Sequence, residues 1–475
     1  MLNRAKVTRF FLALWLICSG LASEAKSKGT PKPNIVFILV DDLGWSDLGF
    51  MGSKYYETPN IDRLAKQGKV FTDAYAACAV CSPTRASILT GKYPSRLGIT
   101  DWIRAKRDGG VIPANRKQPV GFDTPKGKPL ATPKNGMFLP QEEVTMAEQL
   151  KSAGYTTAHI GKWHLGGEEW LPQHQGFDIN IAGAELGHTR SYFDPYINEG
   201  KPIPTITPRK KGEYLTDRES DEAIDFIKKH KNGPFFLNMW HYAVHDPIQA
   251  KPEDIEYFKG KTPVGKQRLP KYASMIRTVD QAVGRIMDTL DELGIADNTM
   301  IVFFSDNGGH TAYTDNSPLR GGKGMPYEGG IREPLVFHWP GTIEPGTSDI
   351  PVSSVDFFPT ICEITDVNYK KTDGTDLSPI LFKNKNIAKR SLLWHFPHYR
   401  NYKKVNPYSI IREGDWKMIR YYDGDFAELY NLKDDIGETK NLAESRPDMV
   451  KKLQKKLDKM LVKTGSKMPK PQTEI

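Results

Sequence analysis

The segment NIVFILVDDLG, residues 34–44, contains a continuous apolar run that ends in two aspartates. Such a run is typical of a strand buried on both faces, as in a parallel sheet with helices on each side. In sheets of this kind, ligands bind outside the carboxyl ends of the strands. The segment therefore predicts a buried parallel strand that places Asp41 and Asp42 at a ligand-binding edge.

Helical and strand patterns alternate along the chain up to residue 309. TPNIDRLAKQG (58–68) has the spacing of a helix that ends at Gly68, and Thr145 with Glu148 predicts a capping box at the start of another helix. The further helix-and-strand pairs are 145–166, 221–247 and 275–309. This alternation predicts an α/β fold, in which a large, mostly parallel sheet is flanked by helices on both faces.

The sequence changes character after about residue 370. RSLLWHF, YSIIREGDWKMIRYY and AELYNL predict short antiparallel strands with turns at Gly414 and Gly424, and a lysine-rich helix follows. We therefore predict a large α/β domain at 31–369 and a smaller C-terminal α+β domain, with a basic helix and tail, at 370–475. Residues 101–140 are rich in Pro, Gly and Lys, and the segment is longer than an ordinary connecting loop. Two interpretations remain open: an insertion near the active face, and a disordered segment on the surface.

The first 22 residues have the pattern of a signal peptide. Arg4, Lys6 and Arg9 precede an apolar run at 10–22, which is too short to span a bilayer. We predict cleavage near Ala22 and an exported protein, periplasmic or secreted, with no stable membrane anchor; an uncleaved anchor is the alternative. Three cysteines then remain, too few for a disulfide framework, so stability must come mainly from a core.

The net charge of +9 does not indicate a polyanionic partner. Three of these charges belong to the signal peptide, and residues 451–475 hold eight lysines against two acidic residues, which leaves residues 23–450 formally neutral. A lysine run of this kind is typical of a solvated helix face. We predict no nucleic-acid partner, and the oligomeric state remains open.

Polar residues with catalytic chemistry cluster where the predicted strands end. Adjacent carboxylates at one strand end and an Asp–Asn pair at another favour a shared Ca²⁺ or Mg²⁺ site, because hard cations prefer oxygen ligands. Taken alone, Asp-Asp before Gly is also ordinary turn chemistry. The residues that fall at strand ends are Asp41, Asp42, Lys162, His164, His245, Asp306 and Asn307. Three more loop or strand histidines accompany them: His188 and His310 are predicted substrate contacts, whereas His241 either lines the pocket or lies in the core.

The segment CSPTRASILTG (81–91) contains Cys-x-Pro-x-Arg and resembles the signature of the type I, formylglycine-dependent sulfatases of the alkaline-phosphatase-like superfamily. Six further motifs of that family appear in the chain in the expected order, and the resemblance covers roughly residues 33 to 340. These motifs are DDLGW, TPNIDRLA, GKWHLG, FFLNMW…AVHDP, SDNGGH and GGKGMPYEGGIREP. The resemblance identifies the α/β domain as a catalytic sulfatase domain.

The resemblance implies a modified nucleophile and a metal. Cys81 would be oxidised to Cα-formylglycine (3-oxoalanine) by a maturation enzyme and hydrated to a gem-diol. The metal, Ca²⁺ rather than Mg²⁺, would be held by Asp41, Asp42, Asp306, Asn307 and one oxygen of residue 81. A metal-bound diol is a better nucleophile at neutral pH than a free alcohol.

The resemblance also implies roles for the basic residues. Arg85 would hold the formylglycine, and Lys162 and Lys323 would clamp the sulfate oxygens. His245 would protonate the leaving alcohol, and His164 would take a proton during sulfate release from a sulfo-enzyme intermediate.

The function implied is that of an exported, calcium-dependent sulfatase that cleaves sulfate esters. Sulfated algal polysaccharide fragments and glycosaminoglycan sugars are the expected substrates. Two alternatives stay open: a phosphomonoester or phosphonate hydrolase of the same superfamily, and a catalytically inactive protein that binds sulfated glycans. The chain has candidate residues for the acid, the base and the nucleophile together. A protein that only binds glycans need not keep all three, which argues against the second alternative.

Overall fold

The strand predicted from residues 34–44 is present as Asn34–Val40, and all seven of its residues are buried. The computed structural model describes residues 32–104, 116–197, 203–400 and 403–475. The predicted signal peptide, residues 1–22, lies outside the described residues. Among the described residues, no helix combines the length and apolarity that a membrane span requires.

The described residues contain strands, α-helices and short 3-10 helices. The strands are β1 (Asn34–Val40), β2 (Lys69–Tyr75), β3 (Phe122–Asp123), β4 (Leu130–Pro133), β5 (Thr156–Gly161), β6 (Ile179–Ile181), β7 (Phe235–Trp240), β8 (Thr299–Ser305), β9 (Arg332–His338), β10 (Gly346–Ser348), β11 (Val352–Ser353), β12 (Ser391–Phe396), β13 (Tyr408–Glu413), β14 (Trp416–Tyr421), β15 (Phe426–Asn431) and β16 (Lys470–Pro471). The α-helices are α1 (Pro59–Gln67), α2 (Cys81–Thr90), α3 (Pro94–Leu97), α4 (Met146–Ser152), α5 (Leu215–His230), α6 (Pro252–Lys259), α7 (Pro270–Glu292), α8 (Glu328–Ile331), α9 (Phe357–Ile364), α10 (Ser378–Lys383) and α11 (Pro447–Lys463). The 3-10 helices are Gly49–Met51, Glu168–Trp170, Pro172–His174, Ala296–Asn298, Ser354–Asp356 and Gln472–Glu474.

The large sheet has the order β10-β2-β9-β8-β1-β7-β5-β6, with β11 paired to β2. All its pairings are parallel except those that β9 makes with β2 and β8, which confirms the predicted mostly parallel α/β sheet. The register pairs Val40 of β1 with Ser305 of β8. Asp41 and Asp306 therefore leave the sheet side by side.

Two local predictions for the helices of this sheet are confirmed. Helix α1 ends at Gly68, and α4 begins with a complete capping box between Thr145 and Glu148. Apolar clusters cover both faces of the sheet, because successive β1 residues pack into different clusters. The two covered faces leave the strand ends as the place where polar groups meet.

Strands β12–β15 form a four-stranded antiparallel sheet, in which neighbouring strands are consecutive in sequence. This confirms the short antiparallel strands predicted after about residue 370. Gly414 and Gly424 both have positive φ, which the two tight turns require. Leu453, Leu457 and Leu461 of α11 are buried against this sheet. Their spacing of four residues gives the helix one apolar face and leaves most of its lysines exposed.

The proline- and lysine-rich segment 101–140 divides into parts with different neighbours. Trp102 lines the cavity described below, and the Ile103 carbonyl accepts a hydrogen bond from His164. Strands β3 and β4 form a small antiparallel sheet with β16, near the end of the chain. Residues 105–115 fall outside the described residues.

Candidate active site

Cys81 is the first residue of α2 and is only 3% exposed. Val80 before it is extended, and Pro83 occupies the first helical turn, where its missing N–H costs no hydrogen bond. The helix ends at Gly91, which adopts a left-handed conformation. Residue 81 thus stands at a helix N-terminus, where the backbone favours negative charge.

Acidic groups surround residue 81. Ligand atoms of Asp41, Asp42, Cys81 and His245 all lie within 4.8 Å of one another. Asp42 has a φ of 61°, an uncommon conformation for a residue with a side chain. Such backbone strain is concentrated at functional sites.

The donor set fits a hard divalent cation. The Asn307 amide donates to Asp42 Oδ1 over 2.8 Å. The buried oxygens Asp41 Oδ1 and Asn307 Oδ1 accept no hydrogen bond from any described residue. Buried oxygens of this kind are costly without a partner, and carboxylate and amide oxygens are the ligands that Ca²⁺ takes.

Each acidic residue of the site has a cationic partner. Lys162 donates to Asp41, and Lys323 donates to Asp42 over 2.7 Å. Arg85 is fully buried and donates to Asp306 Oδ2 from Nε over 2.8 Å. The predicted metal ligands and the predicted sulfate-binding cations therefore form one buried network.

This network shifts the pKa values of two carboxyl groups in opposite directions. Burial alone would raise the pKa of Asp42, but Lys323, His245 and Lys162 lower it well below its usual range. Burial and the neighbouring Asp41 raise the pKa of Asp306 to about 6. Clustered groups with such divergent pKa values are typical of functional sites.

His245 is oriented by its neighbour in sequence. Its Nδ1 lies 3.0 Å from Asp246 Oδ1, and its Nε2 lies 3.6 Å from Asp42 Oδ2. Burial and Lys323 lower its pKa, but the aspartates outweigh them, so the net pKa lies above the ordinary value. His245 therefore tends to carry the proton that a general acid donates.

The pKa of His164 is shifted in the opposite direction to that of His245. Its Nε2 donates to the carbonyl of Ile103 over 2.7 Å, which leaves Nδ1 with a lone pair. That Nδ1 is buried and meets no hydrogen-bond partner in the described part of the chain. Burial and Lys162 hold the pKa of His164 well below its usual range, so the ring is neutral and able to accept a proton.

A cavity of about 430 Å³ opens onto these residues. Its lining residues are Val80, Cys81, Trp102, His164, Gly187, His188, His245, Asp246, His310, Lys323 and Arg400. His188 stacks on His245 with ring centroids 5.7 Å apart. Both histidines predicted as substrate contacts therefore line the same cavity as residue 81.

The structure brings every predicted catalytic and metal-binding residue into this site or its buried wall. His241 is excluded from the cavity lining: it is buried, and its Nδ1 lies 2.7 Å from Glu219 Oε2. Sequence reasoning missed Trp102, Asp246 and Arg400. Asp246 could have been found from its position next to His245, whereas Trp102 and Arg400 carry no local signal.

Comparisons with known proteins are consistent with this geometry. The chain matches the family described as Sulfatase over residues 33–367, and the one described as N-sulphoglucosamine sulphohydrolase, C-terminal, over residues 322–467. A sulfatase of Formosa agariphila is 33% identical over an alignment of 525 positions, which covers 94% of this chain and 91% of that protein. The N-acetylgalactosamine-6-sulfatase of Mus musculus is 34% identical over 399 residues, covering 78% of this chain and 70% of that protein. The crystal structure of Ps i-CgsB in complex with k-i-k-neocarrahexaose has a TM-score of 0.74 and 32% identity, covering 89% of this chain and 92% of that one.

Proposed function

The chain belongs to the sulfatase family, and on that premise we propose that it is an exported sulfuric ester hydrolase whose substrate is a sulfated carbohydrate. The observation that carries the proposal is the position of Cys81, at a helix N-terminus, beside Asp41, Asp42 and His245 and open to the cavity. The named relatives support a sulfated sugar as substrate, since one of them is an N-acetylgalactosamine-6-sulfatase.

We infer that residue 81 acts as formylglycine, formed from Cys81 by a maturation enzyme. Burial raises the pKa of the Cys81 thiol, so an unmodified thiolate is disfavoured. Conversion would supply a hydrated aldehyde, whose two hydroxyls provide a nucleophile and a second proton. The signature around Cys81 supports this inference.

A divalent cation, calcium rather than magnesium, would be held by Asp41, Asp42, Asp306 and Asn307, together with residue 81. The buried oxygens Asp41 Oδ1 and Asn307 Oδ1, which accept no hydrogen bond among the described residues, support this assignment. When bound, the cation would supply positive charge opposite the negative charge that develops on the reacting oxygens.

The basic residues would carry the remaining chemistry. Lys162 and Lys323 would orient the sulfate oxygens and offset their charge, and Arg85 would hold residue 81. During alcohol release, sulfur would bond to a hydroxyl oxygen of residue 81 as the ester O–S bond breaks, and His245 Nε2 would give its proton to the leaving alcohol oxygen. During sulfate release, the C–O bond from residue 81 to the sulfate would break as His164 Nδ1 takes the proton of the second hydroxyl, which restores the aldehyde. The pKa of His245 is raised and that of His164 is lowered, which supports the roles of proton donor and proton acceptor respectively.

We further propose export after cleavage near Ala22, with a catalytic domain at 31–369 and a C-terminal domain at 370–475. The positively charged start and short apolar run support export. The exported location would give the enzyme access to sulfated polysaccharide fragments.

The experiment that tests the function compares hydrolysis of nitrophenyl sulfate with that of nitrophenyl phosphate by the purified protein. We expect the sulfate ester to have the higher kcat/KM and the Cys81→Ala variant to be inactive on both. A strong preference for phosphate would contradict the proposal. Full activity of Cys81→Ala would contradict the assigned nucleophile.

A further inference from the structure

The cavity wall includes an aromatic side chain that the proposed reaction does not use. Trp102 is partly exposed and lines the same cavity as Cys81 and His164. The centroid of its ring lies 6.5 Å from that of His164, the residue assigned as proton acceptor. The indole therefore borders the place where the reacting sulfate ester would lie.

The backbone next to Trp102 is fixed to the catalytic residues. The Ile103 amide donates to Ser82 Oγ over 3.0 Å, and the Ile103 carbonyl accepts from His164 Nε2 over 2.7 Å. Ser82 is the second residue of α2 and directly follows residue 81. The position of the indole is thus coupled to the nucleophile on one side and to the proton acceptor on the other.

Asn135 holds the same segment from its other side. Its Oδ1 accepts from the amides of Thr100 and Asp101 over 2.9 Å and 3.0 Å. Its Nδ2 donates to the carbonyls of Asp101 and Trp102 over 3.0 Å and 3.3 Å. These bonds order a segment that belongs to no helix or strand, so little conformational entropy is lost when a ligand packs against it.

The ring of Trp102 has one cationic neighbour and remains open to a ligand. The guanidinium carbon of the exposed Arg104 lies 5.5 Å from the ring centroid, a cation–π contact that restrains the ring. Trp102 is still partly exposed despite this contact. Part of its apolar surface is therefore available inside the cavity lining.

Hydrogen-bonding groups share the cavity wall with this apolar surface. His188, Asp246 and His310 all line the cavity. Burial lowers the pKa of His188 to about 4 and also lowers that of His310, so both rings are neutral and suit hydroxyl groups. An aromatic surface beside neutral hydrogen-bonding groups fits a sugar ring, which has apolar C–H faces and a rim of hydroxyls.

We propose that Trp102 is the stacking platform for the sugar ring that carries the reacting sulfate, so that the substrate is a pyranose sulfate. This inference rests on the proposed function, because it takes the sulfate to be bound by Lys162 and Lys323. An aryl sulfate would also contact the indole, but it would leave the hydrogen-bonding part of the wall without partners, which costs binding energy.

The test separates binding of the ring from binding of the sulfate. The sugar probes are N-acetylgalactosamine 6-sulfate, galactose 4-sulfate and galactose 2-sulfate; nitrophenyl sulfate is the aryl probe, and inorganic sulfate is the probe without a ring. Dissociation constants come from ligand-induced shifts of Tm in the Cys81→Ala background, where no turnover interferes. Tryptophan fluorescence is recorded in the same titrations.

We expect the tightest sugar probe to bind at least about 10-fold more tightly than inorganic sulfate, and Trp102→Ala to weaken it by about 5- to 30-fold, as for an aromatic contact at the centre of an interface. The affinity for inorganic sulfate should stay within about 2-fold. Trp102→Phe keeps an aromatic ring and should recover most of the loss. Its fluorescence should no longer respond to the sugar, whereas that of the Trp102 protein should.

Trp416→Ala is the matched control. Trp416 is also partly exposed and also has an arginine near its ring, since the guanidinium carbon of Arg446 lies 5.2 Å from the ring centroid. It belongs to β14 and is not part of the cavity lining. Its replacement should change neither affinity.

The platform would be overturned by any of four results: no sugar probe that binds more tightly than inorganic sulfate, equal losses for sugar and inorganic sulfate in Trp102→Ala, an equal effect of Trp416→Ala, or tighter binding of nitrophenyl sulfate than of every sugar probe. Should Trp102→Ala fail to fold, the fluorescence of Trp102→Phe decides, and an unchanged response to the sugar would refute the platform. Absence of sulfate release from every probe by the enzyme with Cys81 unchanged would count against the proposed function, while the affinities would still decide the platform.

Discussion

Lys323 donates a hydrogen bond to Asp42 across 2.7 Å, although 281 positions of sequence separate the two residues. Asp42 follows the central strand β1, and Lys323 lies in the glycine-rich loop between β8 and β9. The contact joins a residue assigned to the metal with one assigned to the substrate. Substitution of the lysine therefore affects both the charge that faces the sulfate and the partner of a buried carboxylate.

Replacement of Lys323 by Met should lower kcat/KM for nitrophenyl sulfate by about 100- to 1,000-fold, the usual cost of losing one contact to developing transition-state charge. Initial rates over a range of substrate concentrations give this value. Lys404→Met is the control, because it removes an exposed positive charge without touching the site. A loss of less than about 3-fold in Lys323→Met would exclude Lys323 from sulfate binding.

Replacement of His245 by Gln should affect sugar sulfates far more than nitrophenyl sulfate. A sugar alkoxide is a poor leaving group and needs the proton that His245 supplies, whereas nitrophenolate leaves as a stable anion. We expect a loss of about 100- to 10,000-fold on a sugar sulfate, the range for general acid catalysis, and a loss at least about 10-fold smaller on nitrophenyl sulfate. Equal losses on both substrates would indicate that His245 does not act as the acid.

Calcium should stabilise the protein, because it supplies a partner for the buried oxygens of Asp41 and Asn307. After treatment with a chelator, added Ca²⁺ should raise Tm by at least about 2 °C and restore activity, with a smaller effect of Mg²⁺. In Asn307→Leu, which lacks one ligand oxygen, the rise should shrink. Unchanged Tm and activity after chelation would contradict the metal assignment.

The buried Lys417 connects the C-terminal sheet to the active-site loop. It pairs with Glu328 over 3.0 Å and with Glu438 over 2.8 Å, and Glu328 begins the short helix that follows the loop of Lys323. Lys417→Met leaves buried carboxylates without this cation and should lower the free energy of unfolding by about 3–5 kcal/mol. Denaturant unfolding measures the change, with the exposed Lys433→Met as control; equal midpoints for both variants would refute the prediction.

Sequence patterns correctly predicted the elements that depend on interactions between residues close together in the chain. The apolar run at 34–40, the capping box at Thr145 and the glycine turns at Gly414 and Gly424 all have short-range causes: burial, a reciprocal hydrogen bond and positive φ. The predicted site residues also fall together, because parallel strands end at a common edge of the sheet. Their roles stay predictions until the variants are measured.

The rest of the cavity depends on contacts between distant segments. Arg400 reaches Asp101 across 299 positions, and neither residue lies in a recognisable motif. Trp102 enters the wall from a segment whose composition allowed either an insertion or a disordered excursion. The antiparallel direction of β9 likewise follows from how the chain packs, since its apolar pattern is compatible with either direction.

The central claim, that sulfate hydrolysis requires conversion of residue 81, can be tested by thiol titration. Burial raises the pKa of the Cys78 and Cys362 thiols to about 12, so both should be inert in the folded protein and must be counted after unfolding. A mature chain contains three thiols when Cys81 is unmodified and two when it is converted to formylglycine.

The decisive measurement plots specific activity on nitrophenyl sulfate against thiols per unfolded chain, for preparations made with increasing amounts of maturation enzyme. We predict a straight line, from no activity at three thiols to full activity at two. Full activity at three thiols per chain would contradict the account.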